Sequence, residues 1–442
     1  MNSTDTICAL ATAVGGAIAI VRVAGPRALE YGRQIWRGRA GLGPENRRQM
    51  LLGKIGGDAV LAVYMPGPAS YTGDDVVEFH CHGGALAADA ALRAALAAGC
   101  RLAEPGEFTF RAFINGKLDL VQAEAVGDLI SAQSETALHL AERQLQGALS
   151  KEFAALRLQV LEVLAECESH LDFPDEALDW DDDLAARLEP VLRRVEALLA
   201  TDRTGQVLRE GIRVVIAGRP NAGKSSLLNA LLGYERAIVT PVAGTTRDTL
   251  EESAVIESIP VRLTDTAGLR ESEDLVEKIG VGRSRESLRT AEVVFWVLDA
   301  SAADLAEELG EFRKSVHSKK IAVWNKIDLA RGRELPEAGP LAVSVSAVTG
   351  ENLHILGKCF AGLVWESGDW SEPEIAVNAR HTGELRLLVR ALPEAMELMR
   401  SGEWELAAIP LRHSLEALGR ITGETADPDL LGNIFSRFCI GK

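Results

Sequence analysis

A chain of 442 residues with 47 Lys and Arg against 64 Asp and Glu, net charge −17, has room for two to four domains and is too acidic overall to hold nucleic acid by diffuse attraction. Its 47% hydrophobic content suits well-buried cores, yet no run reaches the ~18 apolar residues of a membrane span, and the opening MNSTDTICAL lacks the basic start and apolar core of a signal peptide. Six cysteines (Cys8, Cys81, Cys100, Cys167, Cys359, Cys439) are scattered with no CxxC pair, which argues against a disulfide frame and fits a reducing, cytoplasmic location.

The first stretch, residues 1–115, alternates strand-like runs (AIAIVRV, AVLAVYM, DVVEFH) with one Ala-rich helix from Ala85 to Gly99, an α+β module. His80-Cys81-His82 places two imidazoles on one strand face, as zinc would need. No second cluster completes a site, so a strand leading into the Gly83-Gly84 turn is the better account. Arg22, Arg27, Arg33, Arg37 and Arg39, then Arg47 and Arg48, read with equal ease as a solvated face or as a local basic surface.

Helical periodicity takes over from Gly116. Leu138, Leu145, Leu149, Phe153, Leu156, Val160, Leu164 and Leu171 recur at steps of three, four or seven, which predicts one long amphipathic helix ending at Pro174. The acidic loop DEALDWDDD and a second helix from Leu184 to Leu199 follow. Strands then return before Gly218, before Asp265, at Val293 to Asp299, at Ile321 to Asn325 and at Leu341 to Ser346. Their alternation with helices predicts a doubly wound sheet. From Glu372 the pattern is helical again. If it packs back on the first helical segment, the α/β part is an insertion in a helical domain.

Gly218 to Ser225 reads GRPNAGKS between an apolar strand and the helical SSLLNALL. This is a phosphate-binding loop in its required context. Lys224 is placed for the terminal phosphates and the Ser225 hydroxyl for magnesium. GTTRD at Gly244, DTAG at Asp265, NKID at Asn325 and SA at Ser346 follow in the order of a guanine-nucleotide site. A carboxylate at Asp328 accepting two base N–H groups would reject adenine. The expected nucleotide set is Asn221, Ala222, Gly223, Lys224, Ser225 and Ser226; Asp265, Thr266, Ala267 and Gly268; Asn325, Lys326 and Asp328; and Ser346, Ala347 and Val348. Thr245 or Thr246 would complete the metal site from a switch loop.

Leu269 stands where many GTPases carry a water-orienting Gln, so another polar group must serve. Glu271, Glu273, Asp274 and Glu277 are candidates that composition does not separate. Arg247 and Arg270 lie near the switch loops, but spacing assigns neither as a finger. The Asn221 amide oxygen is suited to hold a monovalent cation beside the phosphates.

Beyond these motifs the chain resembles the MnmE/TrmE family of tRNA-modifying GTPases over nearly its whole length. The likeness is carried by DTICALAT at Asp5, SYTGDDVVEFHCHGG at Ser70, PGEFTFRAFINGKLDLVQAEAVGDLI at Pro105, DFPDE at Asp172, LREG at Leu208 and FCIGK at Phe438 to Lys442. It implies a folate-binding-like, dimerising domain at 1–115 and helical segments at 116–210 and 372–442. Between them it implies a Ras-like P-loop GTPase domain at 211–371, inserted in the helical domain. For this sequence it implies potassium ligands at Asn221, Thr240, Val242 and Thr245, within a loop Thr240, Pro241, Val242, Ala243 and Gly244. Magnesium ligands fall at Ser225 and Thr246, and Glu277 becomes the acid that orients water.

The resemblance also implies that Arg22, Glu78, Lys117 and Lys442 contact a formyl- or methylene-tetrahydrofolate, and that Cys439 takes part in the modification. The implied partners are a second copy through the N-terminal domain, the flavoprotein MnmG in a heterotetramer, and tRNA, with no membrane. Together they would place an aminomethyl-type (carboxymethylaminomethyl) group at the 5-position of the wobble uridine. A GTP-switched assembly factor shares the GTPase motifs, but not FCIGK or the folate-like block. A pure folate-dependent transferase is weaker, since no carbon-transfer acid is evident. Ser346-Ala347-Val348 departs from the wider class, where a basic third residue is usual.

Overall fold

The computed structural model describes residues 4–172, 183–234, 251–265, 289–315, 317, 319–365 and 372–442. The chain forms two compact units. The first is built from residues 1–130, 141–200 and 377–442, and the second, 131–140 and 201–376, interrupts it.

In the first unit a sheet runs in the order β3-β4-β5-β6-β2-β1-β7. Its strands are β1 (Ile7–Leu10), β2 (Ile18–Ala24), β3 (Arg37–Gly38), β4 (Leu51–Ile55), β5 (Asp58–Met65), β6 (Val76–His82) and β7 (Arg101–Leu102). All pairs are antiparallel except β1 with β7. Strict alternation assigns the faces. Val21, Val23, Val77, Phe79 and Cys81 point into a core covered by helices Ala28–Ile35 and Ala85–Ala97. Arg22 and Glu78 sit opposite each other on the other face. β6 ends at His82, and Gly83 must be glycine because a Cβ there would stand 1.9 Å from the Gly16 carbonyl oxygen. His80 pairs with Glu78 and His82 with Asp58.

The helices of this unit include Glu107–Ile114, Leu120–Ser131, Ala148–Asp172, Leu188–Ala200, Ala379–Arg400, Trp404–Thr422 and Pro428–Phe435. The long helix expected from the leucine spacing is instead two, Glu135–Leu145 and Ala148–Asp172. Gly147, at φ +84, adopts the left-handed conformation that ends a helix. Leu138 is exposed, whereas Leu149, Phe153, Leu156, Val160 and Leu164 are buried. The heptad-like step across Gly147 kept the spacing while the backbone turned. The acidic loop lies outside the described residues apart from Asp183, which caps the short turn Leu184–Arg187 before Leu188–Ala200.

Glu124 clamps the helical part. Arg380 Nε and Nη2 each donate to it at 2.8 Å, and His381 Nε2 lies 2.9 Å from its second oxygen. Burial pushes its carboxyl up, but His381 and the bidentate Arg380 outweigh this and hold it far below the usual carboxylate range. A depressed carboxyl stabilises the fold above its unfolded titration range and loses that contribution as pH falls through and below it. Glu124→Ala, which removes the counter-charge of Arg380 and leaves it to the Arg420 and Ile421 carbonyl oxygens, is expected to cost about 3 kcal/mol in urea unfolding near pH 7, and the gap from wild type should narrow in acid.

The second unit holds a sheet of order β13-β12-β11-β8-β10-β9. Its strands are β8 (Ile212–Gly218), β9 (Glu251–Ile256), β10 (Ile259–Asp265), β11 (Val293–Asp299), β12 (Lys320–Asn325) and β13 (Ala342–Ser344). Only β9, at the edge, is antiparallel. The order is Ras-like, and the apolar runs RVVIA, VVFWVL and IAVW are buried strands of this doubly wound core. Gly218, Asp265, Asp299 and Asn325 all fall at carboxyl ends of parallel strands, where ligands bind in such sheets.

Candidate functional site

β8 delivers the phosphate-binding loop to that edge, and helix Lys224–Tyr234 leaves from it. Gly218 and Gly223 lie at φ +143 and +95. A Cβ would stand 2.3 Å from the Val297 carbonyl oxygen at the first and 2.3 Å from Asn325 Nδ2 at the second, so only glycine fits. Asn221 itself is left-handed, at φ +64. Its side chain is exposed and makes no hydrogen bond among the described residues. The buried Lys224 donates from Nζ to the Arg219 carbonyl oxygen at 2.8 Å, inside the curve of the loop.

Asn325 ties three motifs together. Its Nδ2 donates to the Ala222 carbonyl oxygen at 3.1 Å, and its Oδ1 accepts from the Ala347 N–H at 3.0 Å. Lys326 Nζ donates to the Asn221 carbonyl oxygen and to Asp299 Oδ2, both at 2.6 Å. Ser346 is buried and accepts from Thr349 N–H, while Val348 projects into solvent, 81% exposed. Asp328 Oδ1 is buried with no hydrogen-bond partner among the described residues. Such an acceptor costs free energy unless N–H donors of a bound base reach it, so this donor and acceptor set fits a guanine nucleotide. Residues 240–246, 266–268 and Glu277 lie outside the described residues. Asp265 ends β10 beside Ile216 of β8.

Two residues here escaped the sequence reading. Asp299 anchors Lys326, and the signal was an acid ending an apolar strand at the same edge as Asp265. Arg219 is held by Glu307 at 2.8 Å and Glu308 at 3.5 Å, on helix Leu305–Lys314.

A second constellation lies in the first unit. Helix Pro428–Phe435 plugs the buried Phe435 against Phe110 (centroids 5.4 Å) and Phe438 (5.6 Å). The following residues run back along the sheet. Gly106 N–H donates to the Cys439 carbonyl oxygen at 3.4 Å, and Phe108 N–H to the Lys442 oxygen at 3.2 Å. Arg22 donates to Glu78 at 2.8 Å and to the Gly441 carbonyl oxygen at 3.4 Å. Its guanidinium lies over the rings of Tyr71 (5.7 Å) and Phe108 (5.6 Å).

Burial, then the neighbouring Arg22, push the Lys442 ammonium below its ordinary value, while Glu78 and Cys439 oppose that shift. So Arg22, Glu78, Lys442 and Cys439 meet in one place. Lys117 donates to the Pro68 carbonyl oxygen at 3.1 Å, in the loop that carries Tyr71. Of the six cysteines, Cys439 alone is exposed, which removes the reading of it as a small buried hydrophobe. Two cations, one carboxylate, two rings and a thiol suit a ligand with anionic groups and a hydrogen-bonding heterocycle, as a folate has.

Residues 6–117 match the family described as GTP-binding protein TrmE N-terminus, and residues 120–439 match the MnmE helical domain. Among curated relatives, the tRNA modification GTPase MnmE of Symbiobacterium thermophilum is 46% identical, covering 99% of each chain. Proteins of the same name from Synechococcus sp. (strain JA-3-3Ab) and Natranaerobius thermophilus are each 42% identical, over 99% of this chain and 98% and 99% of theirs. No helix among the described residues is long and apolar enough to cross a membrane.

Proposed function

The chain belongs to the tRNA modification GTPase MnmE family, a GTP hydrolase acting in tRNA modification, and from that premise we propose the chemistry at each of its two sites. GTP hydrolysis is activated by potassium held at Asn221 and the carbonyls of Thr240, Val242 and Thr245. Magnesium is held by Ser225 and Thr246, and Glu277 orients the water. A tetrahydrofolate derivative is held by Arg22, Glu78, Lys117 and Lys442, and when bound it supplies the one-carbon unit. Arg22 and Lys442 neutralise its anionic groups, Glu78 accepts N–H bonds from its heterocycle, and Cys439 presents a thiol beside it. With the flavoprotein MnmG, the protein adds an aminomethyl-type group, carboxymethylaminomethyl, at the 5-position of the tRNA wobble uridine. Domain limits of 1–115, 116–210, 211–371 and 372–442 accompany this reading, as does a cytoplasmic location.

The observation that carries the proposal is the meeting of Arg22, Glu78, Lys442 and Cys439 within a single unit, across most of the chain's length. A homodimer through the N-terminal module accompanies this reading. The test is mass spectrometry of tRNA nucleosides from cells lacking the protein. The 5-substituted wobble uridine is expected to disappear and to return with the wild-type chain. Its persistence in the deleted cells would defeat the proposal.

A further inference from the structure

We propose that the edge of the N-terminal sheet around β3 and β4 is a docking surface for the phosphate backbone of RNA, and that tRNA is gripped there. This rests on the reading of the protein as a tRNA-modifying enzyme and adds the surface by which tRNA is held.

Residues 31–55 contain Arg33, Arg37, Arg39, Arg47, Arg48 and Lys54 against a single acid, Glu45, in a chain whose net charge is −17. All six cations are exposed. None forms an ion pair among the described residues, whereas many arginines elsewhere are matched with carboxylates, among them Arg194–Glu152, Arg400–Glu189, Arg412–Glu168 and Arg420–Glu384. Even nearby Arg22 and Arg27 are neutralised, by Glu78 and Glu30.

The fold gathers these charges. Arg37 stands directly opposite Lys54 in the β3–β4 pairing. The Arg37 guanidinium turns back to the end of helix Ala28–Ile35, where it donates to the Gln34 carbonyl oxygen at 2.8 Å, a contact that positions the charge without a carboxylate to neutralise it. The loop beyond β3 is folded back toward helix Ala28–Ile35, since Arg33 Nε donates to the Leu42 carbonyl oxygen at 2.6 Å and Asn46 Nδ2 to Gly41 at 2.6 Å. Arg48 occupies the left-handed region at φ +61, its N–H bonded to the Tyr64 carbonyl oxygen at 2.7 Å and its guanidinium to that of Ala69. Charged side chains guard a bare sheet edge against aggregation, but β3 is only two residues long, and the cluster runs well past it. An unneutralised cationic stripe on an acidic protein matches a polyanion, and in a tRNA-modifying enzyme that polyanion is the RNA backbone.

The test compares the full-length wild type with an Arg39→Gln/Arg47→Gln/Lys54→Gln variant, three side chains that make no hydrogen bond among the described residues. Binding of unmodified tRNA is followed by fluorescence anisotropy across a potassium chloride series. The variant is expected to bind at least about 100-fold more weakly near 0.1 M salt, and its plot of log affinity against log salt to be shallower by about 2 to 3. Its thermal midpoint and tRNA-free GTP turnover should match wild type. Equal affinity and equal slope in the two proteins would overturn the docking surface while leaving the tRNA-modification reading intact. Failure of the wild type itself to bind tRNA would count against both.

Discussion

Exchanging sodium for potassium is expected to raise GTP turnover by on the order of 100-fold, and Asn221→Ala to remove most of that difference. A preorganised group aimed at developing charge is worth about 10²–10³ in rate, and an arginine finger about 10³–10⁵. The phosphate-binding loop has no arginine to spare, because Arg219 is occupied by Glu307 and Glu308. Asn221 is held differently. Its main-chain oxygen is fixed by Lys326 at 2.6 Å, its backbone takes the left-handed conformation that Asn tolerates, and its amide is left pointing into solvent. A fixed backbone with an unengaged amide oxygen can offer one ligand to a monovalent cation. Since Asn325 and Lys326 shape the loop through its main chain, Asn221→Ala should leave GDP affinity within a few-fold of wild type. The measurement is kcat in matched potassium and sodium buffers for both proteins. A potassium-to-sodium ratio unchanged in the variant would remove Asn221 from the ion's shell.

The nucleotide site was legible because its chemistry is local. Gly218, Lys224, Asp265, Asn325 and Ser346 each end or follow an apolar strand, and parallel strands bring their carboxyl ends to one edge. β9 was missed because EESAVI opens on two acids and lies at the sheet edge, where solvent spares it the unbroken apolar run of a central strand. The helix break at Gly147 was hidden because spacing records residue type and not the sign of φ. The greatest distance in sequence was also the least readable. Arg22 and Gly441 are 419 positions apart, and no periodicity connects them. Family likeness placed Arg22, Glu78 and Lys442 in one ligand site. The structure supplies the physical means, a phenylalanine plug at Phe435 and close main-chain contacts at Gly106 and Gly441.

Gly441→Ala is therefore expected to lower tRNA modification by about 100-fold while leaving GTP turnover in potassium unchanged. Gly441 lies at φ +99, and a Cβ there would stand 2.1 Å from the Leu10 carbonyl oxygen on β1. Both the strained backbone and the clash lift the tail from the sheet by about 1 Å, and misplacement on that scale costs about 10²-fold where reacting groups must be aligned. The GTPase residues belong to the other unit, so their chemistry serves as the internal control. Cys439, the one exposed thiol of six, reports the tail's position directly. Its rate of labelling by a maleimide should change in Gly441→Ala, whereas Cys439→Ser should remove the fast-labelling site and abolish modification with the tail still docked. If Gly441→Ala alters the labelling rate yet modifies tRNA at the wild-type rate, docking of the tail has no part in the chemistry. If Cys439→Ser keeps full modification, the thiol is structural and the cluster around Arg22 serves ligand binding alone.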